Sequence, residues 1–250
     1  MRLFGERRTL ENPTVPRDTR VYAIGDIHGR ADLLRALRGL IEEDARRAPI
    51  ARKVVVYLGD YVDRGHESRQ VIDLLLDHPL PGFESVHLRG NHEEFMLRFL
   101  DDISVGPPWL ANGGLATLLS YGVGVGESAR MDERADYAQA SLRRALPARH
   151  KAFLEALALS HVEGDYLFVH AGIRPGVALD RQADQDMLWI RDEFLSSMAA
   201  HPKIIVHGHS INWTPEVKPN RIGIDTGAYA TGTLTCLVLE RTKRDFLHTR

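Results

Sequence analysis

The chain has 250 residues, 44% of them hydrophobic and 26% charged, which fits one α/β domain with a sizeable core and excludes a disordered chain. A formal net charge of −2, and apolar runs well short of the roughly 20 residues of a bilayer span, lead us to expect neither nucleic acid nor a membrane as partner. Twelve histidines accompany a single cysteine, Cys236, which excludes an internal disulfide, a cysteine-based zinc finger and an iron–sulfur cluster. Any bound metal must therefore be held by imidazole and carboxylate groups.

The chain begins with a polar segment. Residues 1–20 contain five arginines and no apolar stretch of the kind found in a secretory signal. We predict a loosely held leader over residues 1–20. The low cysteine content and the missing signal predict a cytoplasmic protein.

A pattern of strand, loop and helix then occurs three times. Apolar runs that end in Gly-Asp or Gly-Asn predict strands at 21–26, 54–60 and 85–91. Leucine and isoleucine at helical spacing predict helices over Ala31–Arg47 and Ser68–Asp77, and a third helix near Phe95. The repeat is about thirty residues, the length of a βαβ unit, so we expect the strands to pair in parallel.

Polar side chains follow these strands where the strands end. Asp26, Asp60 and Asn91 each come directly after a glycine. In open α/β sheets, ligands bind in the crevice outside the carboxyl ends of the strands. We therefore expect three oxygen ligands around one point.

The second half of the chain has fewer repeats. The segment at about 102–160 is broken by Pro-Pro-Trp and Asn-Gly-Gly and predicts a helical insertion. Further strands are predicted at 166–172, 203–210, 221–227 and 233–240, with one more possible at the end of the chain. The first two end in a histidine beside glycine or alanine. Because no low-complexity linker divides the chain, we predict one domain over residues 21–250.

The predicted strand ends together supply nitrogen and oxygen ligands without a thiolate. They are Asp26, His28, Asp60, Asn91, His92, His170 and His209. Such a set suits Mn²⁺, Fe or Zn²⁺ in a reactive site better than a structural zinc site. Seven groups exceed the need of one ion, and a shared carboxylate could hold two ions about 3.5–4 Å apart.

Five segments carry a family resemblance. GDIHG (25–29), GDYVDRG (59–65), LRGNHE (88–93), HAG (170–172) and HGH (207–209) resemble the metallophosphoesterase superfamily, and within it the phosphoprotein phosphatase branch with its bacterial serine/threonine phosphatases. The resemblance extends from about residue 21 to 227. It implies an α/β fold of the calcineurin-like metallophosphoesterase type, in which two sheets form an α-β-β-α sandwich.

The resemblance also implies two divalent metal ions and their ligands. The implied ligands are Asp26 and His28 for the first metal, Asp60 as a bridge, and Asn91, His170 and His209 for the second. Manganese is the favoured metal, with iron, zinc and nickel as alternatives.

Four further residues receive roles in catalysis from the resemblance. His92, paired with Asp63, would protonate the leaving group, because an alkoxide leaves poorly without a proton. A carboxylate on the other ring nitrogen fixes the tautomer of such a histidine. Arg64 and, by a shorter match, Arg191 would bind the phosphate, since a guanidinium matches phosphate oxygens bidentately. Tyr229 is a loose candidate for the substrate-side tyrosine of eukaryotic relatives.

The function implied is a metal-dependent phosphatase that hydrolyses phosphoserine and phosphothreonine in proteins, with phosphotyrosine also open, by direct attack of a metal-bridging hydroxide. A symmetrical dinucleoside tetraphosphate hydrolase is the alternative, but such relatives tend to lack the aspartate at the position of Asp63. A phosphodiesterase or nuclease is disfavoured because His209 is followed by Ser210 and Ile211, which leaves out the second histidine of a Gly-His-x-His element. A non-catalytic scaffold is a distant alternative, since it predicts a lost ligand and none is lost.

Overall fold

The computed structural model describes residues 10–48, 50–124 and 131–249. The strands are β1 Thr19–Ile24, β2 Arg52–Tyr57, β3 Glu84–His87, β4 Ser160–Glu163, β5 Tyr166–Val169, β6 Ile204–His207, β7 Glu216–Val217, β8 Arg221–Gly223, β9 Thr235–Glu240 and β10 Lys243–His248. The helices are α1 Ala31–Arg47, α2 Ser68–Asp77, α3 Asn91–Asp101, α4 Gly106–Trp109, α5 Leu115–Ser120, α6 Met131–Ala145, α7 Ala148–Glu155, α8 Asp184–Trp189, α9 Asp192–Leu195 and α10 Ala228–Thr231. Among these described helices, none has the length and apolar character that a bilayer crossing requires.

The strands form two five-stranded sheets. The first has the order β10-β9-β1-β2-β3, and the second has the order β4-β5-β6-β8-β7. The neighbouring strands β1, β2 and β3 pair in parallel, as do β5, β6 and β8. Antiparallel pairing occurs on the flanks, where β9 joins β1 and where β4 and β7 close the second sheet. Parallel pairing of the first three strands confirms the prediction from the repeat.

Alternation along β1 explains why two layers of core form. Val21 and Ala23 point into the apolar layer between the sheets, where Phe168 of β5 and Val206 of β6 meet them. The intervening Tyr22 and Ile24 point to the other face and pack with the helices of the first sheet. Side chains along a strand alternate between faces, so each β-branched run fills both layers. On the outer face of the second sheet, Leu167 and Ile205 pack against Phe194 of α9.

This arrangement is the α-β-β-α sandwich that the resemblance implied, so that fold prediction is confirmed. The helices predicted over Ala31–Arg47 and Ser68–Asp77 have those same bounds in the structure. The two short edge strands, β4 and β7, were not predicted.

The proposed divisions of the chain stay predictions. Residues 1–9 of the leader lie outside the described residues. Its later part is packed against the domain, because the backbone N–H of Thr14 donates to Asp165 at 2.9 Å and that of Val15 donates to the carbonyl of Arg241 at 3.1 Å. The segment predicted as a helical insertion, about 102–160, contains α4 to α7 among its described residues, and β4 begins at its end.

Candidate metal centre and active site

The candidate site lies where the parallel strands of both sheets end. β1, β2 and β3 of the first sheet lead into its aspartates, His28 and the first turn of α3, while β5 and β6 of the second sheet lead into two further histidines. Each of the seven side chains is at most 6% exposed: Asp26, His28, Asp60, Asn91, His92, His170 and His209. Buried polar groups need hydrogen-bond partners or a bound ligand, so the carboxylates of this set need a positive charge close by.

Asp60 occupies the centre of the site. Its Oδ2 atom lies 3.4 Å from Nε2 of His28 and 3.8 Å from Nε2 of His92. Its Oδ1 atom lies 3.5 Å from Nε2 of His170. Asp60 belongs to both groups of described residues whose ligand atoms lie within 4.8 Å of one another, one with His28 and His92 and the other with His170 and His209. A carboxylate shared by two groups is what the predicted bridging ligand requires.

The His170 side of the site brings lone pairs together. Nδ1 of His170 lies 2.9 Å from the carbonyl of Leu58 and donates to it, which leaves Nε2 as an acceptor. That Nε2 atom lies 2.9 Å from Oδ1 of Asn91, and Nδ1 of His209 lies 2.8 Å from the same oxygen. Two acceptors at such a distance repel unless a cation lies between them. The other ring nitrogen of His209 is buried without a hydrogen-bond partner.

The His28 side is covered by Arg64. Its Nη1 atom lies 3.0 Å from Nε2 of His28, and its Nη2 atom lies 3.2 Å from Nε2 of His92. A guanidinium only donates, so both Nε2 atoms accept and both Nδ1 atoms carry the proton. Nδ1 of His28 donates to the carbonyl of Val62 at 2.9 Å, which agrees with this tautomer. The lone pairs of both rings therefore face the centre of the site.

Asp26 is held at the edge of the site. Its carboxylate accepts the backbone N–H of His209 at 3.0 and 3.2 Å, and neither three-residue ligand group includes it. Burial, and then the charges of Asp225 and Asp60, raise the pKa of Asp26 well above its usual value. Three buried carboxylates in one place favour a bound cation, since like charges oppose ionisation.

The pKa values separate His92 from the other three histidines. Burial lowers the pKa of His28 and His170, and burial with the charge of His170 lowers the pKa of His209 to about 2. These three rings are neutral at neutral pH, which is the form that binds a metal. Burial also opposes protonation of His92, but the carboxylates of Asp60 and Asp63 outweigh it and raise its pKa. His92 is thus the histidine of this cluster best suited to carry a proton.

The predicted acid pair is closely formed. Nδ1 of His92 donates to Oδ2 of Asp63 at 2.6 Å, and both side chains are buried. The pair fixes the tautomer of His92 and directs its Nε2 atom into the site. Arg64 lies over the same opening, whereas Arg191 is exposed and its Nη1 atom contacts the carbonyl of His209 and the hydroxyl of Ser210, each at 3.3 Å.

Backbone strain is concentrated at the site. Among the described residues, seven that are not glycine have a positive φ, and five of these are predicted site residues: His28, Asp60, Asp63, Arg64 and His209. Such conformations cost about 1–3 kcal/mol each and persist only where the surroundings enforce them. The strained backbone conformations are therefore concentrated where the side chains of the site must converge.

Glu93 and Gly90 enforce the turn that carries Asp60, and Gly208 has a similar place beside Asp26. The Glu93 carboxylate accepts backbone N–H groups from Asp60, Tyr61, Val62 and Gly90 at 2.8 to 3.2 Å. A Cβ atom at Gly90 would overlap the Asp60 carboxylate, and one at Gly208 would overlap that of Asp26. The glycines are needed because the backbone passes directly over the ligand oxygens.

Sequence reasoning missed several residues at this site. Asp225 is buried, its Oδ2 atom has no hydrogen-bond partner, and burial raises its pKa to about 6. It follows β8 closely, so the strand-end pattern that indicated Asp26 and Asp60 could also have indicated Asp225. Two buried side chains of the helical segment, Trp109 and Thr117, bind Asp63, and no local pattern marks them.

Tyr229 lies beside the predicted ligands. Its ring meets that of His28 edge-on at 5.5 Å, and the guanidinium of Arg64 lies 4.8 Å from its centre. The side chain is partly exposed, so it lines the opening of the site. A role in substrate binding stays a prediction.

Residues 19–239 match the family model for calcineurin-like phosphoesterases. The chain belongs to this family. The family uses a dinuclear metal centre, and the described residues provide a cluster of histidine and aspartate groups that fits one. The predicted superfamily and its phosphoprotein phosphatase branch are confirmed by this match and by the bacterial relatives below.

Two kinds of bacterial relative match over most of their length. Serine/threonine-protein phosphatase 2 of Salmonella typhimurium is 28% identical over 224 residues, which cover 86% of this chain and 90% of that protein. The asymmetrical bis(5'-nucleosyl)-tetraphosphatase PrpE of Anoxybacillus flavithermus is 27% identical over 227 residues, which cover 86% of this chain and 88% of that protein. Other curated relatives match only in part: the shared region spans 9% to 39% of the length of four of them.

Solved structures support the fold. A candidate diadenosine tetraphosphatase superposes with a TM-score of 0.61 at 21% identity, covering 96% of this chain and 98% of that chain. A cold-active protein tyrosine phosphatase superposes with a TM-score of 0.52 at 18% identity, covering 94% of this chain and 81% of that chain.

Proposed function

We propose that this phosphoesterase hydrolyses phosphomonoesters of serine and threonine in proteins. The observation that carries the proposal is the buried pair of His92 and Asp63, 2.6 Å apart, directly beside Asp60. The alkoxide of serine or threonine is a strong base and departs slowly unless it is protonated. A polyphosphate leaves as a weakly basic phosphate and has less need of an acid. A complete acid pair therefore favours an alcohol leaving group.

The residues around Asp60 would hold the two metal ions that the family uses. Asp26, His28 and Asp60 would offer donors on one side, and Asn91, His170 and His209 would offer donors on the other. When bound, such ions lower the pKa of a water and neutralise charge on the phosphoryl oxygens. We propose manganese as the metal because the donors are nitrogen and oxygen only, and iron, zinc and nickel are compatible with the same donors.

The protein's own groups would orient the substrate and deliver the proton. Arg64 presents two N–H groups into the opening and would bind two phosphate oxygens, which replaces its contacts with His28 and His92. That movement frees Nε2 of His92 for the leaving oxygen. Asp63 holds the His92 ring in place while Nε2 of that ring donates its proton. We also propose a cytoplasmic location, supported by the single buried cysteine.

A dinucleoside tetraphosphatase is the second candidate. The similarity to the PrpE enzyme supports it, since it covers as much of this chain as the similarity to phosphatase 2 does. That relative is named asymmetrical, whereas the alternative predicted from the sequence was the symmetrical hydrolase. The products distinguish the two, because symmetrical cleavage of diadenosine tetraphosphate gives two ADP and asymmetrical cleavage gives ATP and AMP.

A paired assay tests the proposal. Phosphoserine, phosphothreonine and phosphotyrosine peptides and diadenosine tetraphosphate are each offered at equal concentration with Mn²⁺, Ni²⁺, Zn²⁺ or Mg²⁺. We expect the highest kcat/KM for the phosphoserine or phosphothreonine peptide. A higher kcat/KM for the dinucleotide would establish the second candidate, and no turnover of any substrate with any metal would leave a scaffold.

A further inference from the structure

The helical segment after α3 reaches the acid pair with two buried side chains. Nε1 of Trp109, the last residue of α4, donates to Oδ2 of Asp63 at 2.9 Å. The hydroxyl of Thr117, in α5, donates to Oδ1 of Asp63 at 2.6 Å. Both side chains are completely buried, and they are 46 and 54 residues away from Asp63 along the chain. The segment is therefore part of the wall of the site.

Asp63 needs such partners because it is buried in an unfavourable backbone conformation. Its φ is +71° and its side chain is 0% exposed. The backbone N–H of Asp63 lies 2.8 Å from Oγ1 of Thr117 and 3.0 Å from Oγ of Ser68. Thr117 thus binds both the backbone and the carboxylate of the same residue. This double contact restricts the χ1 rotation of Asp63 as well as its φ.

The same segment also restrains the neighbouring arginine. The carbonyl of Gly113 accepts the backbone N–H of Arg64 at 3.2 Å. Gly113 itself has a φ of +105°, and a Cβ atom there would lie 2.8 Å from Cγ of Arg64. The turn between α4 and α5 is shaped to pass over the Asp63–Arg64 pair.

These contacts give both oxygens of the Asp63 carboxylate a hydrogen-bond donor. Oδ2 accepts from His92 and Trp109, and Oδ1 accepts from Thr117. A buried carboxylate held by three donors has one orientation, and that orientation sets the direction in which the His92 ring points. A small rotation of Asp63 would turn Nε2 of His92 away from the leaving oxygen, and misplacement of about 1 Å can cost 100-fold in rate.

We propose that Trp109 and Thr117 are positioning residues that hold Asp63, and through it His92, in the geometry for proton donation. This inference rests on the proposed function, because it assigns the helical segment a part in protonating the leaving group. It predicts a selective defect. Loss of either donor should slow substrates that leave as alkoxides and spare substrates that leave as stable phenolates.

The test uses the metal-loaded, full-length protein and two substrates that differ in whether their leaving oxygen must be protonated. A phosphoserine peptide requires protonation of its leaving oxygen, whereas p-nitrophenyl phosphate releases a weakly basic phenolate. Thr117→Val removes the hydroxyl and keeps the volume, and Trp109→Phe removes the N–H group. We expect kcat for the phosphoserine peptide to fall about 10- to 100-fold in each variant, part of the 10²–10⁴-fold that an acid supplies. We expect kcat for p-nitrophenyl phosphate to change less than about 3-fold, and Thr117→Ser to restore the peptide activity.

Tyr121→Phe is the matched control. Tyr121 is also buried in the helical segment, but its hydroxyl binds Nδ1 of His150 at 2.9 Å and lies outside the acid pair. Its loss should leave the ratio of the two activities unaltered. Metal content and melting temperature, measured for every variant, separate loss of the fold from loss of positioning. If Trp109→Phe does not fold, Thr117→Val and Thr117→Ser carry the test alone.

A double mutant decides whether Thr117 acts through Asp63. In an Asp63→Asn background, Thr117→Val should cause no further loss on the phosphoserine peptide, since both changes remove the same function. Equal losses on both substrates, or losses that multiply in the double mutant, would overturn the inference. Failure of the unmodified protein to hydrolyse either monoester would instead overturn the proposed function.

Discussion

Oδ1 of Asp60, at the end of one sheet, lies 3.5 Å from Nε2 of His170, at the end of the other sheet. Apolar side chains such as Val56 and Phe168 also pack between the two sheets. A cation bound at Asp60 would connect them at their carboxyl ends. It would also relieve the repulsion between the acceptors of Asn91 and His170, which are 2.9 Å apart.

Metal binding should therefore both stabilise the fold and activate the enzyme. Treatment with a chelator should lower the melting temperature and abolish turnover, and Mn²⁺ should restore both. A ligand present at 100 times its Kd adds about 2.7 kcal/mol to the free energy of unfolding. Asp60→Asn should lose most of this response, whereas Asp245→Asn, at an exposed aspartate, should keep it. An Asp60→Asn protein that still holds two ions by elemental analysis would contradict the bridging role.

Replacing His92 should remove the proton and leave the metals. In His92→Asn the buried acid is lost while Asp60, His28 and His170 remain, so we expect bound metal to be unaltered and kcat on a phosphoserine peptide to fall about 10²–10⁴-fold. His78→Asn, at an exposed histidine, is the control. An unaltered kcat in His92→Asn would show that another group protonates the leaving oxygen.

Arg64 and Arg191 should differ in their effects on substrate binding. Arg64 faces the two histidines of the site, and a hydrogen bond to a charged group is worth about 1.5–3 kcal/mol. Arg64→Ala should therefore raise KM about 10-fold or more. Arg191 is exposed and contacts the site through the carbonyl of His209, so Arg191→Ala should raise KM less. Steady-state kinetics of both variants would show this difference, with Arg47→Ala, at an exposed arginine, as the control. An unaltered KM and kcat in Arg64→Ala would show that Arg64 has only a structural role.

Local patterns predicted the helices well because they depend on near neighbours. The apolar spacing in Ala31–Arg47 and Ser68–Asp77 is enough to define α1 and α2, while β4 and β7 have four and two residues and show no usable alternation. The glycine-aspartate endings of β1 and β2 located Asp26 and Asp60, because chain direction places all parallel strand ends on one edge. The bridging of Asp60 between histidines of both sheets needed the packed fold.

The partners of Asp63 could not be predicted from the sequence. Trp109 and Thr117 lie 46 and 54 residues away from Asp63 along the chain. An apolar or hydroxyl residue in a helix predicts packing in the core and does not by itself predict a hydrogen bond to a distant side chain. Glu93 stands within a matched motif, yet its task is to bind backbone N–H groups, which only the folded turn reveals. In each case the decisive contact joins segments distant in sequence.

Glu93→Gln should destabilise the fold and loosen the site. Oε1 of Glu93 accepts from Tyr61 and Val62, and Oε2 accepts from Asp60 and Gly90. A glutamine keeps one acceptor and turns the other into a donor that faces two N–H groups. We expect a loss of about 2 kcal/mol or more in the free energy of unfolding.

Urea unfolding, compared with Glu94→Gln, would measure the effect of Glu93→Gln. Glu94 is the neighbouring residue, is partly exposed, and pairs with Arg89 at 3.4 Å, so its replacement should cost little. Equal stability of the two variants would show that the Glu93 carboxylate is dispensable for the Asp60 turn.

Asp225→Asn should have opposite effects in the metal-free and metal-loaded protein. Asp225 is buried beside Asp26, and its charge contributes to the raised pKa of that residue. Without metal, removing this charge relieves repulsion, and a gain of ~1 kcal/mol would raise the melting temperature by about 2–4 °C. With Mn²⁺ the gain should disappear, because the bound cation compensates the carboxylates and benefits from each of them. Calorimetry with chelator and with saturating Mn²⁺ measures both melting temperatures. Asp180→Asn, at an exposed position, is the control. A lower melting temperature in both conditions would show instead that Asp225 serves mainly as the acceptor for the backbone N–H of Gly227, which it binds at 2.9 Å.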